Sequence, residues 1–396
     1  MTTPAERRSS TPASETRTDS HEVAVVGAGA VGVTVAHDLA RAGVDVTVYE
    51  QGTVASGSSG RAAGVCYDAF ASHPDAALGA ESIERFRAFA AEGAPFVSCP
   101  YVWLARHGDD ERIRLVREGI ERMQELGVDA EALDADELAA RFPALRTDDV
   151  AVAGVSTGAG YTDPGEYTAW LAARAREAGA TVREETPVEI ATDSPRVGPP
   201  GETEREVDAL VVAAGAHSKQ LLGDAGVAIA MKPYRVQALV GSVSLGDGAA
   251  WEPMVYDASG DCYLRPHPEG VLAGNGTEEV EADPDGYDQE ANAGFAADLA
   301  ARVTHRLPGC SLDVQRAWAG LCTATPDRDP LVGEVRPGVY VATGLQGQGF
   351  MRSPAIGGRL AGEVLGGPGL EAFDPTRFDG DEEFDIREGM AIESAE

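Results

Sequence analysis

Three glycines and one acid near the amino end have the types and the spacing to hold a nucleotide. Gly27, Gly29 and Gly32 occupy the G-x-G-x-x-G positions, which supply a tight turn, a backbone close enough to touch a pyrophosphate, and close packing of a helix on a strand. Ala30 and Val31 open that helix, whose free N–H groups and positive dipole end favour a phosphate. Glu50 follows eighteen residues after Gly32, with Gln51 behind it. A carboxylate placed there accepts hydrogen bonds from both ribose hydroxyls and disfavours a 2′-phosphate, so NAD or FAD fits better than NADP.

The elements needed to position these groups are legible around them. The apolar run Val23–Val26 suits a strand buried on both faces. The spacing predicts a helix over Val31–Arg41, closed at Gly43, and a second strand over Val44–Val48. The loop Gln51–Gly64 carries Ser58, Ser59 and Arg61 as donors, with glycines that permit close approach. Pro74–Glu92, Glu111–Leu126 and Ala135–Phe142 read as helices, and Phe96–Ala105 as strands. The nucleotide-binding region is expected to resume over Val150–Gly160, with a helix over Gly165–Ala178 and a strand over Thr181–Ile190 in which the Val188 main chain faces an adenine. The buried strand Val207–Ala214 ends at Gly215 and offers a second glycine-ended edge to the same crevice. Short strands across 231–276 suggest an antiparallel sheet, covered by a long helix over Pro284–Arg306. The chain returns through Asp313–Leu321 and Val339–Thr343 to a glycine-rich loop, Gly344–Phe350, and a helix over Pro354–Leu365.

Composition restricts the partners. The formal net charge is −33, and Lys219 and Lys232 are the only lysines among 32 basic residues. Such a surface suits molar salt, which screens its self-repulsion, and it repels nucleic acid and anionic membranes. Five scattered cysteines without a C-x-x-C pair point to a reducing cytoplasm and to neither a disulfide framework nor a zinc site; no metal is expected. No run approaches a membrane span. Residues 1–20 read as a disordered polar tail and 371–396 as an acidic one, solvated from Phe378 onward.

The glycine-rich stretches in this order resemble the D-amino-acid oxidase type of FAD-dependent oxidoreductase, in its sarcosine oxidase, glycine oxidase and dimethylglycine dehydrogenase group. The resemblance is carried by GAGAVG with Glu50, GSSGRAAG, VDALVVAAGAHS, CYLRPHPEGVLAG, WAGLCTATPDRDPLVG and ATGLQGQGFMRSPAIGG. It implies an α/β chain, α+β overall. A Rossmann-like FAD-binding domain would be built from 21–95, 150–230 and 313–370, and a mainly antiparallel β substrate domain from 96–149 and 231–312. It also implies that Ala214 and Gly215 border the cofactor, and that Gly347, Gln348, Gly349, Phe350 and Met351 aim N–H groups at the flavin N1 and C2 oxygen. A helix N-terminus there stabilises the negative charge of reduced flavin. Covalent sarcosine oxidases hold flavin by a cysteine that falls at Gly320 here, with Cys322 two residues away, so non-covalent FAD is implied. Glycine oxidases place a carboxylate-binding arginine where Cys322 stands. A lysine and a histidine of the oxidases align with Leu272 and Gly276, which favours a dehydrogenase.

Amine oxidation at flavin N5 needs an aligned C–H bond and a neutral amine, and a carboxylate substrate also needs a cation. Arg352 is the first candidate cation, with Arg265 and Arg235 behind it; the competing reading of each is a structural ion pair. Tyr263 is a candidate hydrogen-bond partner for substrate or else a core tyrosine, and His267 a base or a turn residue. His217 and Trp318 read as packing, and Cys322 as a small apolar lining group. The expected activity is oxidation of the C–N bond of a small amine or amino acid of the sarcosine, dimethylglycine, proline, glycine or D-amino acid type. The alternatives are an FAD-dependent 2-hydroxy acid dehydrogenase and a flavin-carrying subunit of an electron-transfer complex, with an acceptor protein or second subunit as partner.

Overall fold

The computed structural model describes residues 21–244, 251–387 and 389, so the expected tail 1–20 lies outside the described residues. Apolar strands alternating with helices build a six-stranded sheet in the order Leu331–Arg336, Val339–Thr343, Ala209–Val212, Glu22–Val26, Asp45–Tyr49, Thr181–Arg183. Its pairs are parallel except for the antiparallel edge between Leu331–Arg336 and Val339–Thr343. The strand order reverses between Glu22–Val26 and Ala209–Val212, and the chain leaves both strands at their carboxyl ends through Gly27 and Ala213. A crevice at that switch point is where an open α/β sheet binds its ligand.

A second sheet of eight strands is antiparallel apart from the parallel pair Met254–Asp257 with Tyr101–Arg106. Its membership differs from expectation in two places. Val150–Ser156, expected with the nucleotide-binding strands, pairs with Tyr101–Arg106 and Ala130–Leu133. Ser311–Ala324 pairs along its length with Lys232–Ser244, so it too belongs to this sheet.

Local departures have local causes. The expected strand over Thr181–Ile190 breaks into Thr181–Arg183 and Glu189–Ala191, because Glu185 adopts a positive φ and its N–H donates to Gly52 O at 2.7 Å. The helix expected over Pro284–Arg306 forms only over Phe295–Arg306, starting after Gly294 at φ +92. Tertiary bonds take the residues before it: Arg235 donates to the Asp288 and Glu290 carbonyls, and Ala319 N–H to Gln289 O. The closing helix begins at Gly349, earlier than Pro354, and contains that proline. Pro354 leaves the Phe350 carbonyl without its helical N–H, and the Ser353 hydroxyl donates to that oxygen at 2.8 Å instead. The acidic end is not solvated throughout, since Ile386 is 4% exposed.

The first helix, Ala30–Arg41, and the closing helix, Gly349–Val364, pack side by side on the six-stranded sheet. Arg85, on the helix His73–Ala91, ties the bundle: Nη2 reaches both Asp38 oxygens at 2.9 and 2.7 Å, and Nη1 donates to Pro354 O at 2.8 Å. Among the described residues no helix is long and apolar enough to cross a membrane.

Candidate flavin site

The turn after the first strand is set by backbone clearance. Gly27 has φ +106, and a Cβ there would overlap the Ala213 carbonyl; a Cβ on Gly32 would overlap the Gly27 carbonyl. Gly32 therefore seats the first helix against the turn and stays behind the wall, while Gly27, Gly29, Ala30 and Val31 line a cavity of about 1220 Å3. Glu50 braces the loops on either side: Oε2 accepts from Ala28 N–H and Oε1 from Gly52 N–H, both at 2.8 Å. A carboxylate has about four lone-pair sites, so two remain for a ligand. Ser59 Oγ accepts from Ala30 N–H at 2.9 Å. Gln51, Ser58, Ser59, Arg61, Val188, Ala214 and Gly215 line the same cavity.

Gly347, Gly349, Phe350 and Met351 line its far end, so chain segments more than 300 residues apart in the sequence converge on one space. Gln348 is not among the lining residues; its Oε1 accepts from Arg352 and its Nε2 donates to Gly389 O. The first and closing helices both start at the cavity with no cap from the side chain of their own N-cap residue, although Ser59 takes the Ala30 N–H of the first, and their positive dipole ends border it.

The catalytic candidates separate. Tyr263 lines the cavity, its ring lying over Gly274 on the neighbouring strand, where a Cβ would overlap it. Arg352 does not line the cavity. Its guanidinium is 3% exposed, paired with Asp75 and Gln348 and stacked over Phe70, which corrects its expected role as the substrate cation. Arg265 is likewise a strut: it donates to Ala63 O at 2.5 Å, Pro266 O at 2.7 Å and Thr162 O at 3.3 Å, and lies over the Tyr161 ring. Arg235 is absorbed by Asp288, Glu278, Asn292 and Glu290. His267 lies outside the cavity, accepting from Glu269 N–H at 3.2 Å; burial and the charge of Arg265 push its pKa below the usual value, which favours the neutral ring.

Residues passed over in the sequence fill the gap. Tyr234, Val236, Gln237 and Ala238 of one strand line the cavity. Asn275, Thr277, Gln289 and Leu345 line it as well, and no local pattern marks them. Trp318, read as packing, lines the cavity and donates from its indole N–H to Arg61 O at 3.0 Å. Cys322 lines it as expected of a small group, and His217 lines it while bonding Asp285 at 3.0 Å. Arg61, held by Gln289 at 2.5 Å, is the one arginine among the described lining residues, and no lysine is among them. Leu272 and Gly276 are not at the wall.

A family model, DAO, FAD dependent oxidoreductase, matches residues 22–363. The chain belongs to this family. This oxidoreductase is 30% identical over 365 residues to the tRNA 5-methylaminomethyl-2-thiouridine biosynthesis bifunctional protein MnmC of Maricaulis maris, covering 90% of this chain and 55% of that protein. Among solved structures, L-proline dehydrogenase from P. horikoshii is similar with a TM-score of 0.81 and 29% identity, covering 90% of this chain and 97% of that one. Glycine oxidase from Geobacillus kaustophilus has a TM-score of 0.80 and 25% identity, covering 91% and 100%. The oxidoreductase thus spans about half of the bifunctional relative and nearly all of the two solved enzymes. Its cofactor is FAD, and the residues present fit that group: a glycine cradle, the Glu50 carboxylate and two helix N-termini open onto one cavity larger than the usual ~300–1,000 Å3 of a small-molecule site.

Proposed function

We propose that this FAD-dependent oxidoreductase oxidises the C–N bond of a small amine or amino acid and passes the electrons to an acceptor other than oxygen. The observation that carries the reading is the single cavity whose nucleotide end, around Gly27 and Glu50, continues into an aromatic and apolar end formed by Tyr234, Val236, Tyr263, Trp318 and Leu345. Bound there, FAD supplies hydride acceptance at its N5. The six-stranded sheet and its glycine turns would hold the ADP half through Gly27, Gly29 and Glu50, with Ser58, Ser59, Arg61, Val188 and Ala214 around the remaining cofactor. The strands carrying Tyr234, Tyr263 and Trp318 would roof the substrate, exclude water and align its C–H bond, where orientation rather than acid–base chemistry supplies most of the acceleration.

Tyr263 is the candidate for hydrogen bonding to the substrate. With Arg352 engaged by Asp75 and Arg61 assigned to the cofactor, no further arginine among the described lining residues is left for a substrate carboxylate, and a substrate without one needs no such partner. Support for the dehydrogenase form comes from the two lysines, which are both engaged elsewhere: Lys219 with Glu281 at 2.5 Å and Lys232 with Phe384 O at 2.8 Å. Gly320 offers no thiol for a covalent link, and a Cβ there would stand 3.3 Å from Arg61 Cβ. The flavin is therefore expected in the supernatant after acid precipitation. The five free cysteines suit a reducing compartment.

Anaerobic mixing with sarcosine, dimethylglycine, proline, glycine and D-amino acids in high salt tests the reading. One of these should bleach the flavin absorbance, with slow recovery in air and fast recovery with an artificial acceptor. Bleaching by 2-hydroxyglutarate or glycerol 3-phosphate alone would transfer the enzyme to hydroxy-acid chemistry. Bleaching by no small molecule, with a second chain co-purifying, would make it an electron-transfer subunit.

A further inference from the structure

The acidic carboxyl end forms part of the cavity wall. Lys232, one of the two lysines in the sequence, donates to Phe384 O at 2.8 Å and lies over the Phe384 ring at 4.5 Å. Ile386 is buried with Tyr234 and Ala324, and Val236 and Cys322 pack on the same cluster; Tyr234, Val236 and Cys322 all line the cavity. Beyond them Gln346 Nε2 donates to Arg387 O at 2.6 Å and Gln348 Nε2 to Gly389 O at 2.8 Å. Gly389 itself lines the cavity and sits so tightly on the Gln346 backbone that a Cβ would overlap the Gln346 carbonyl oxygen.

The loop gripped in this way needs holding. Gln346 is a non-glycine residue at φ +50 and is 2% exposed, a conformation that persists only where the surroundings over-determine it. Its N–H donates to Thr323 O at 2.8 Å, its Oε1 accepts from Thr325 N–H at 3.3 Å, and its remaining side-chain donor goes to Arg387. The next residues, Gly347 and Gly349, open the closing helix at the cavity. A segment that looks like a solvated tail in composition thus supplies one anchor to Gln346 and one to Gln348, and it packs against the wall beside Cys322.

We propose that Phe384–Arg387 and Gly389 are positioning residues: they hold the loop 346–349 in its cofactor-facing conformation and narrow the substrate end of the cavity, so that the carboxyl segment tunes both FAD affinity and substrate size. The cofactor half of this inference rests on the functional reading above. The holding of the loop does not.

Two variants of the full chain's folded form test it, Gly389→Ala and a stop after Glu383, each compared with the parent at the same salt. Amide exchange of residues 346–349 in the apoprotein should become faster in both, while the circular dichroism of Gly389→Ala stays near that of the parent. Titration of apoprotein with FAD should show a dissociation constant raised by about tenfold, the scale expected for losing one or two hydrogen bonds. At saturating FAD, KM should rise for small substrates more than for bulky ones. Parental exchange, parental FAD affinity and parental substrate-size preference in Gly389→Ala would overturn the proposal, even if the truncated chain fails to fold. A parent that binds no FAD overturns the functional reading alone, and the exchange measurement still decides whether the segment holds the loop.

Discussion

Asp329, in the loop before the edge strand Leu331–Arg336, shows how position alone changes a residue's chemistry. Partial burial, with Asp75 and Asp327 nearby, pushes its pKa from 3.8 up to about 6. The folded chain therefore keeps this proton through a pH range in which the unfolded chain has lost it. The stability it contributes is complete below the unfolded value and declines as pH rises through about 6. Asp329→Asn removes that decline. The variant should melt a few degrees above the parent at pH 7.5 and together with it at pH 4, as thermal scans at constant salt would show; an equal shift at both values would assign the effect to packing. Arg352 and Arg265 teach the complementary lesson, since cations adjacent to site motifs are consumed by Asp75 and by backbone carbonyls, and a residue's type does not say which neighbour it meets.

At the scale of elements, the first helix depends on a contact measured in single atoms. Its third position, Gly32, leaves room for the Gly27 carbonyl and for nothing larger, so Gly32→Ala must lift the helix or distort the turn. Because the buried faces of helix and sheet are otherwise unchanged, the variant should keep its secondary structure while binding FAD at least ~10-fold more weakly. Apoprotein titration beside circular dichroism checks this, and parental affinity would mean that the turn does not cradle the pyrophosphate. The same local logic made this helix legible in the sequence, since glycine spacing, an apolar face and the Gly43 stop all lie within one short stretch. It failed for 284–294, where helix propensity lost to hydrogen bonds from Arg235 and from the strand Ser311–Ala324. It failed again at the closing helix, where a serine hydroxyl satisfies the carbonyl that Pro354 abandons.

Taken as a whole, the molecule carries a net charge of −33, and self-repulsion on that scale opposes a compact state. Screening shortens from about 10 Å at 0.1 M to about 3 Å at 1 M salt. The thermal midpoint should therefore climb steeply with KCl between those concentrations and much less with sucrose at matched osmolality. A midpoint indifferent to KCl would separate the acidic composition from any adaptation to salt. Many surface arginines already sit in ion pairs, such as Arg359 with Glu81 at 2.7 Å, yet exposed pairs contribute little individually and leave the bulk of the charge uncompensated.

The sequence by itself determined the backbone chemistry of the nucleotide end. A glycine that must turn, a helix that must start, a buried strand and an acid at a set distance are properties of neighbours in the chain, and the chain carries them wherever it folds. Only the tertiary structure decided which side chains face the cavity, to which sheet Val150–Ser156 and Ser311–Ala324 belong, and that Gly389 lies beside Gln346. The partner that removes Arg352 from the site, Asp75, is 277 residues away in the sequence. Pairings of that kind arise from which surfaces meet after the two sheets pack, and no window of local sequence contains both members.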